Sequence, residues 1–344
     1  MSERLMVEHS DLIVPILCYP FPEVRELLGD LHLSESFHMD ALTLPEAREL
    51  LYEGGYSFSP DLEIPTDPGE RVDFEHIHEP VTARITERNE PLLPGLADFE
   101  KQYATHGSAE AIFRLMAGWS ATGKMTELGF LKSDYDGYVL EAMGLNIPIH
   151  DVPSLESVGD PVEGRIWFLS NPSAIDGNWH EDEMLQDFIA AGHNIVLDYA
   201  YGGLTPEEHP LDVSAPNIQA VLTSPSKIFG VFNHRYTGVA YTRENVGSLL
   251  STMWFKSVPA LMDTLMLYEA FEPTELPQKY REKQLIICQA LTELIGKTIK
   301  PSDNILMAHT DEALQPEYGL FATESGMYRL RLSKLFAQLE FQKG

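Results

Sequence analysis

Between residues 103 and 245 the chain alternates short apolar runs with stretches of helical period, and the runs hand over to residues equipped for chemistry. Ile166-Trp167-Phe168-Leu169, Asn194-Ile195-Val196-Leu197, Ala220-Val221-Leu222-Thr223 and Gly238-Val239-Ala240-Tyr241 have the length and composition of buried strands. Met184 to Ala191 has helical period and stops at Gly192; a second helix opens at Ser108-Ala109-Glu110-Ala111-Ile112, just after the turn residue Gly107. Strands separated by helices need crossover connections, which produce a mostly parallel sheet. The expectation is an α/β fold with its functional groups at strand ends, where open sheets of this class keep their ligands.

The flanks differ in texture. Long helices are predicted around Ser257 to Phe271 and from Gln278 to Leu294, followed by a strand at Tyr328-Arg329-Leu330-Arg331-Leu332. Residues 60–94 are rich in Pro, Asp and Glu, which suggests long connections or an extended arm. Within them Phe74-Glu75-His76-Ile77-His78 and Val81-Thr82-Ala83-Arg84-Ile85 read as a hairpin. The expected organisation is an atypical N-terminal arm or small-domain segment over 1–100, a large domain over 101–275, and a shortened C-terminal small domain over 276–344.

Charge narrows the partners. Lys and Arg number 24 against 53 Asp and Glu, a formal charge of −29. Such a field repels nucleic acid and anionic membranes, so neither is expected as a partner. Cys18 and Cys288 make no disulfide framework, which suits a reducing compartment. The apolar stretch from Leu12 to Cys18 is too short for a membrane span and has no signal-peptide layout around it, so a cytoplasmic location is expected. His76 and His78 share one face of the expected strand, but no third and fourth ligands accompany them, and no metal is expected. Neither a Walker nor a dinucleotide glycine fingerprint is present.

The strand ends carry the chemistry. One delivers Asp198-Tyr199-Ala200-Tyr201 and the next Ser224-Pro225-Ser226-Lys227, with Arg235 eight positions beyond the lysine. Alone, Ser-x-Ser-Lys is a common surface loop and Asp198 a common helix cap. Together they are what a protein needs to hold pyridoxal 5'-phosphate (PLP). Lys227 would take the aldehyde, and Asp198 would keep the pyridine nitrogen protonated. The amides of Ser108 and Ala109 at a helix N-terminus, with Ser224, Ser226 and Arg235, would hold the phosphate. Tyr201 or Asn171 would donate to the phenolate oxygen, and Tyr135 would stack on the ring.

In this order the motifs resemble the fold type I PLP-dependent enzymes, and within them the class I/II aminotransferases. The resemblance rests on His106-Gly107-Ser108-Ala109, Tyr135-Asp136-Gly137-Tyr138, Asn171-Pro172 with Gly177, Asp198 to Tyr201, Ser224 to Lys227, and Arg235 with Gly238. It covers roughly residues 100 to 245, and the last strand in outline. Asp134 departs from it, standing where the family has Pro-x-aromatic before the stacking ring; residues 1–100 show no match. The resemblance implies a homodimer acting on an amino acid and a keto acid, with Lys227 as general acid/base and Asp198 and Tyr201 beside it. It also implies a late arginine for the substrate α-carboxylate, Arg329 in preference to Arg331, and a tyrosine reaching a neighbour's phosphate, for which Tyr56 is a candidate. Transamination is the expected reaction. A PLP decarboxylase, lyase or oxidase in a specialised biosynthetic pathway, or a non-catalytic scaffold relative, are the alternatives.

Overall fold

The computed structural model describes residues 19, 21–28, 74–231, 238–250, 258–314, 323 and 326–341. Among them, β1 (Lys101–Thr105), β2 (Glu127–Leu131), β3 (Ile149–Val152), β4 (Arg165–Ser170), β5 (Asn194–Asp198), β6 (Ile218–Thr223) and β7 (Gly238–Thr242) form one sheet in the order β1-β7-β6-β5-β4-β2-β3. The pairings β3-β2-β4-β5-β6 are parallel, whereas β7 runs antiparallel to both β6 and β1. The C-terminal ends of β1, β2, β4, β5 and β6 therefore share one edge, and β7 begins there.

Helices α1 (Pro22–Leu28), α2 (Phe74–Asn89), α3 (Ser108–Thr122), α4 (Asp136–Gly144), α5 (Asp182–Ala190), α6 (Val258–Ala270), α7 (Glu275–Ile295) and α8 (Ser333–Phe341) complete the main framework. Both faces of the sheet are covered, which is why its strands read as apolar runs. Ile166, Phe168, Val196, Ala220 and Leu222 face one core with Ile112, Leu115 and Met116 of α3. Their neighbours Trp167, Leu169, Ile195, Leu197 and Val221 face the other, with Leu185, Phe188 and Ile189 of α5. Helix α5 starts with Asp182 and Glu183, which favour the positive N-terminal dipole, and Gly192 follows it at φ +90°.

A smaller antiparallel sheet, β10-β9-β8, joins β8 (Lys300–Pro301), β9 (Met307–Thr310) and β10 (Tyr328–Arg331). It is tied to the large sheet through the loop after β4. Asp303 N donates to Asn178 Oδ1 and Trp179 N donates back to Asp303 Oδ2, both at 3.0 Å. Asn304 N donates to Gly177 O at 2.8 Å, and Ile305 N to Leu204 O at 3.0 Å. Gln284 of α7, fully buried, spends its amide on the carbonyls of Ser302, Asn304 and Met307.

The hairpin expected at Phe74 to Ile85 is instead helix α2. Val81, Thr82, Ile85, Thr86 and Asn89 are buried, a helical spacing, and α2 packs on α6. Val81, Thr82 and Ile85 favour strands by propensity, but burial of that stripe outweighs the preference. The buried polar members are satisfied within the helix: Thr86 Oγ1 donates to Thr82 O at 2.7 Å and Asn89 Nδ2 to Ile85 O at 2.7 Å.

Candidate active site

The sequence-predicted residues converge on the C-terminal edge of the large sheet. Asp198 closes β5 and is 5% exposed. Its Oδ1 accepts from Ala200 N at 3.1 Å, and its Oδ2 from the hydroxyl of fully buried Tyr138 at 3.1 Å. Burial raises its carboxyl from the ordinary 3.8 to about 7, against the pull of those two donors; Asp134 adds to the rise and Lys227 opposes it. The result is a buried acid held by two donors, with the Lys227 charge in its field.

Lys227 lies in a single helical turn, Pro225–Ile228, directly after β6. Ser224 caps that turn, its Oγ accepting from Ser226 N at 3.3 Å. Across the sheet edge stands Gly107 at φ +81°, immediately before α3. A β-carbon added to Gly107 would lie 3.5 Å from both Ser224 Oγ and Ser226 Oγ, so both hydroxyls face the opening of α3. Gly238, at the start of β7, allows this approach: its own β-carbon would fall 3.1 Å from Gly107 Cα and 2.5 Å from Thr223 O. Ser108 and Ala109 follow in the first turn, and Glu110 Oε2 accepts from His106 N at 2.7 Å. Helix opening and two hydroxyls thus form one cup of donors suited to an anion. Arg235, its expected cation, lies outside the described residues, as do Tyr56 and Cys18.

Asn171 is buried after β4, in a cis Asn171–Pro172 peptide; its N donates to Asp198 O at 3.0 Å and its Oδ1 accepts from His180 N at 3.2 Å. Tyr135 precedes α4, is 38% exposed, and meets Tyr138 edge-on with centroids 5.3 Å apart. Gly137 makes room for that ring, since its β-carbon would fall 2.2 Å from Tyr135 Cε1. Burial pushes the Tyr201 phenol up to about 12, so it is a proton donor at neutral pH; Arg331 and Arg329 temper the rise.

Arg329 is part-buried on β10, and its Nη1 donates to Ala174 O and, at 3.5 Å, to Ser133 O. Burial and the neighbouring Arg331 charge pull its guanidinium below the ordinary value. Leu330 between them is fully buried, so Arg329 and Arg331 take the opposite face of the strand together. Ser108, Ala109, Tyr135, Asn171, Asp198, Tyr201, Ser224, Ser226 and Lys227 thus lie at or just after the C-terminal ends of large-sheet strands, and Arg329 reaches the segments after β2 and β4 from the small sheet.

Sequence reasoning gave no role to two residues that the structure builds in. Tyr138 supplies the donor to Asp198. Asp134, 2% exposed, accepts from Tyr135 N at 2.7 Å, from Ser170 N at 3.2 Å and from Ser170 Oγ. Burial raises its carboxyl to about 6, while Arg329 lowers it. The signal was present in both cases: an acid and a phenol where apolar residues would fill a core. Among the described residues, no group of three or more His, Cys, Asp or Glu is placed to hold a metal, and no helix is long and apolar enough to cross a membrane.

No protein-family model and no curated protein sequence matches the chain. Solved structures do match. An aspartate aminotransferase tetra mutant from Thermus thermophilus superposes with a TM-score of 0.63 at 13% identity, covering 98% of this chain and 97% of that one. Substrate-bound BacF from Bacillus subtilis gives 0.61 at 15% identity, covering 96% and 94%. L-threonine-O-3-phosphate decarboxylase from Porphyromonas gingivalis gives 0.54 at 12% identity, covering 79% and 96%. With its mostly parallel sheet, single antiparallel strand and attached small sheet, the chain has the α/β fold of the type I PLP-dependent transferases.

Proposed function

We propose that the chain is a PLP-dependent enzyme and that its reaction is transamination of an amino acid, working as a homodimer. The observation that carries the reading is a convergence: a buried carboxylate, a lysine-bearing turn and a donor-lined helix opening meet at one sheet edge. Each of these suits one part of the cofactor. Lys227 would anchor it, Asp198 would face its ring nitrogen, and Ser108, Ala109, Ser224 and Ser226, with Arg235, would hold its phosphate. A cationic ring nitrogen is also the partner that a carboxyl raised to about 7 lacks. When bound, PLP supplies an electron sink for bonds at the substrate Cα.

The protein's residues do the rest. Lys227 Nζ, as a free amine, would be the base that takes the proton from the substrate Cα and the acid that gives it back. Asp198 would face the ring nitrogen as a carboxylate, held in orientation by Tyr138 and Ala200 N. Tyr201 and Asn171 stand at the same edge to donate to a phenolate oxygen, and Tyr135 offers an exposed ring face. Arg329, with Arg331 on the same face of β10, would grip the α-carboxylate and align the bond to be broken. The division into residues 1–100, 101–275 and 276–344 fits this reading. The large sheet supplies the cofactor contacts, and the small sheet supplies the arginines. The acidic charge and two cysteines fit a cytoplasmic location without nucleic-acid or membrane partners.

The test is the visible absorption spectrum of the protein with PLP, beside Lys227→Ala, before and after addition of each of the twenty amino acids. A lysine-dependent band converted by one amino acid, with keto acid released, supports transamination. A lysine-dependent band with CO2 or another product instead of keto acid would move the reaction to the decarboxylases or lyases. Absence of any band at saturating PLP would leave a non-catalytic relative.

A further inference from the structure

Asp134 lies outside every role given above, yet three of the proposed contact groups depend on it. Its Oδ1 accepts from the backbone N of Tyr135, the exposed ring at the site mouth, at 2.7 Å. The same oxygen accepts from Ser170 Oγ, and Oδ2 accepts from Ser170 N at 3.2 Å. Ser170 Oγ in turn accepts from Ala174 N at 2.7 Å. Ala174 O takes the guanidinium of Arg329, whose other contact is the carbonyl of Ser133, adjacent to Asp134. Ser170 O is also bonded by His180 Nε2 at 3.1 Å, and His180 N reaches Asn171 Oδ1 at 3.2 Å.

Seen from the carboxylate, these bonds form one closed path. It runs Asp134, Ser170 Oγ, Ala174, Arg329 and back through Ser133, enclosing the turn that begins with Asn171. The far side of that turn is fastened to the loop between β8 and β9 by two bonds, Asp303 N to Asn178 Oδ1 and Trp179 N to Asp303 Oδ2. A carboxylate 2% exposed is costly to bury. Here its acceptor sites go to backbone and hydroxyl donors, and the Arg329 charge acts on it. A carboxylate needed only for packing has no reason to link the stacking ring, the Asn171 turn and the arginine strand.

We propose that Asp134 is a positioning residue for the substrate carboxylate: through Ser170 and Ala174 it sets the place and orientation of Arg329 at the active site. It acts through Arg329 and does not itself touch substrate. This rests on the reading of the site as a PLP enzyme that binds an amino acid.

The experiment uses the full chain loaded with PLP, in four forms: parent, Asp134→Ala, Arg329→Ala and the double variant. Two quantities are read from absorption titrations, the PLP dissociation constant and the half-saturating concentration of the amino acid that changes the parent spectrum. Asp134→Ala is expected to raise the amino-acid half-saturation about tenfold and to weaken PLP binding less, by up to about threefold through the Tyr135 contact. The double variant is expected to be no worse than Arg329→Ala alone, because both substitutions break one path. Ser170→Ala, which removes only the bridging hydroxyl, should reproduce the amino-acid defect and serves if Asp134→Ala does not fold. Unchanged amino-acid affinity in Asp134→Ala and Ser170→Ala, or losses that add fully in the double variant, would overturn the positioning role. A parent protein with no PLP band, or with no amino acid changing it, would instead overturn the functional reading along with this one.

Discussion

Replacing Asp198 by Asn should make the cofactor-free protein more stable while disabling the site, and the gain should depend on pH. The carboxyl is raised from the ordinary 3.8 to about 7 because burial penalises its charged form. The folded state therefore holds this proton more tightly than the unfolded chain does. Linkage then makes stability fall as pH rises from about 4 to about 7, by about 4 kcal/mol in full. Asparagine carries no such charge and escapes the penalty. Urea unfolding of cofactor-free protein should give the variant an advantage of about 2 kcal/mol at pH 5 and about 4 kcal/mol at pH 8. The Tyr138 bond to the carboxylate is already contained in that raised value, and the asparagine amide oxygen remains an acceptor for the hydroxyl, so the difference between the two pH values stands. The refuting result is an advantage that is flat between pH 5 and pH 8. That would mean Asp198 titrates as an ordinary carboxylate and the buried environment does not act on it. A lost PLP band in the same variant would complete the trade of stability for function.

Two further outcomes follow from the packing. Gly238→Ala forces a methyl to 2.5 Å from Thr223 O and 3.1 Å from Gly107 Cα, both backbone, and should cost about 1–3 kcal/mol and weaken PLP binding. Gly144→Ala meets nothing within 4 Å and should change neither, so equal effects in the two variants would discount the close approach. Burial pushes the thiol of Cys288 up to about 12, so in a Cys18→Ser background it should ignore a thiol reagent at pH 8 until urea unfolds the chain. Rapid labelling of the folded protein would contradict that burial.

The strands from Ile166 to Tyr241 and the residues at their ends were legible in the amino-acid order. A strand covered on both faces needs an unbroken apolar run, and each run must stop where the chain leaves the core. Asp198, Ser224 and Lys227 stand at those stops, and so their position at one sheet edge follows from local pattern plus the parallel topology. Two things were not legible, both because they depend on contacts between distant segments. Val81-Thr82-Ala83-Arg84-Ile85 has the β-branched texture of a strand, but α6, nearly two hundred residues away, offers the stripe Val81, Ile85 and Asn89 a helical seat. Asp134 read as a departure from a motif. Only folding brings Ser170, Ala174 and Arg329 around it and turns an isolated acid into the centre of a hydrogen-bonded path. Periodicity reports which face of an element is buried; the partner that buries it, and the bonds made there, come from the packing of the whole chain.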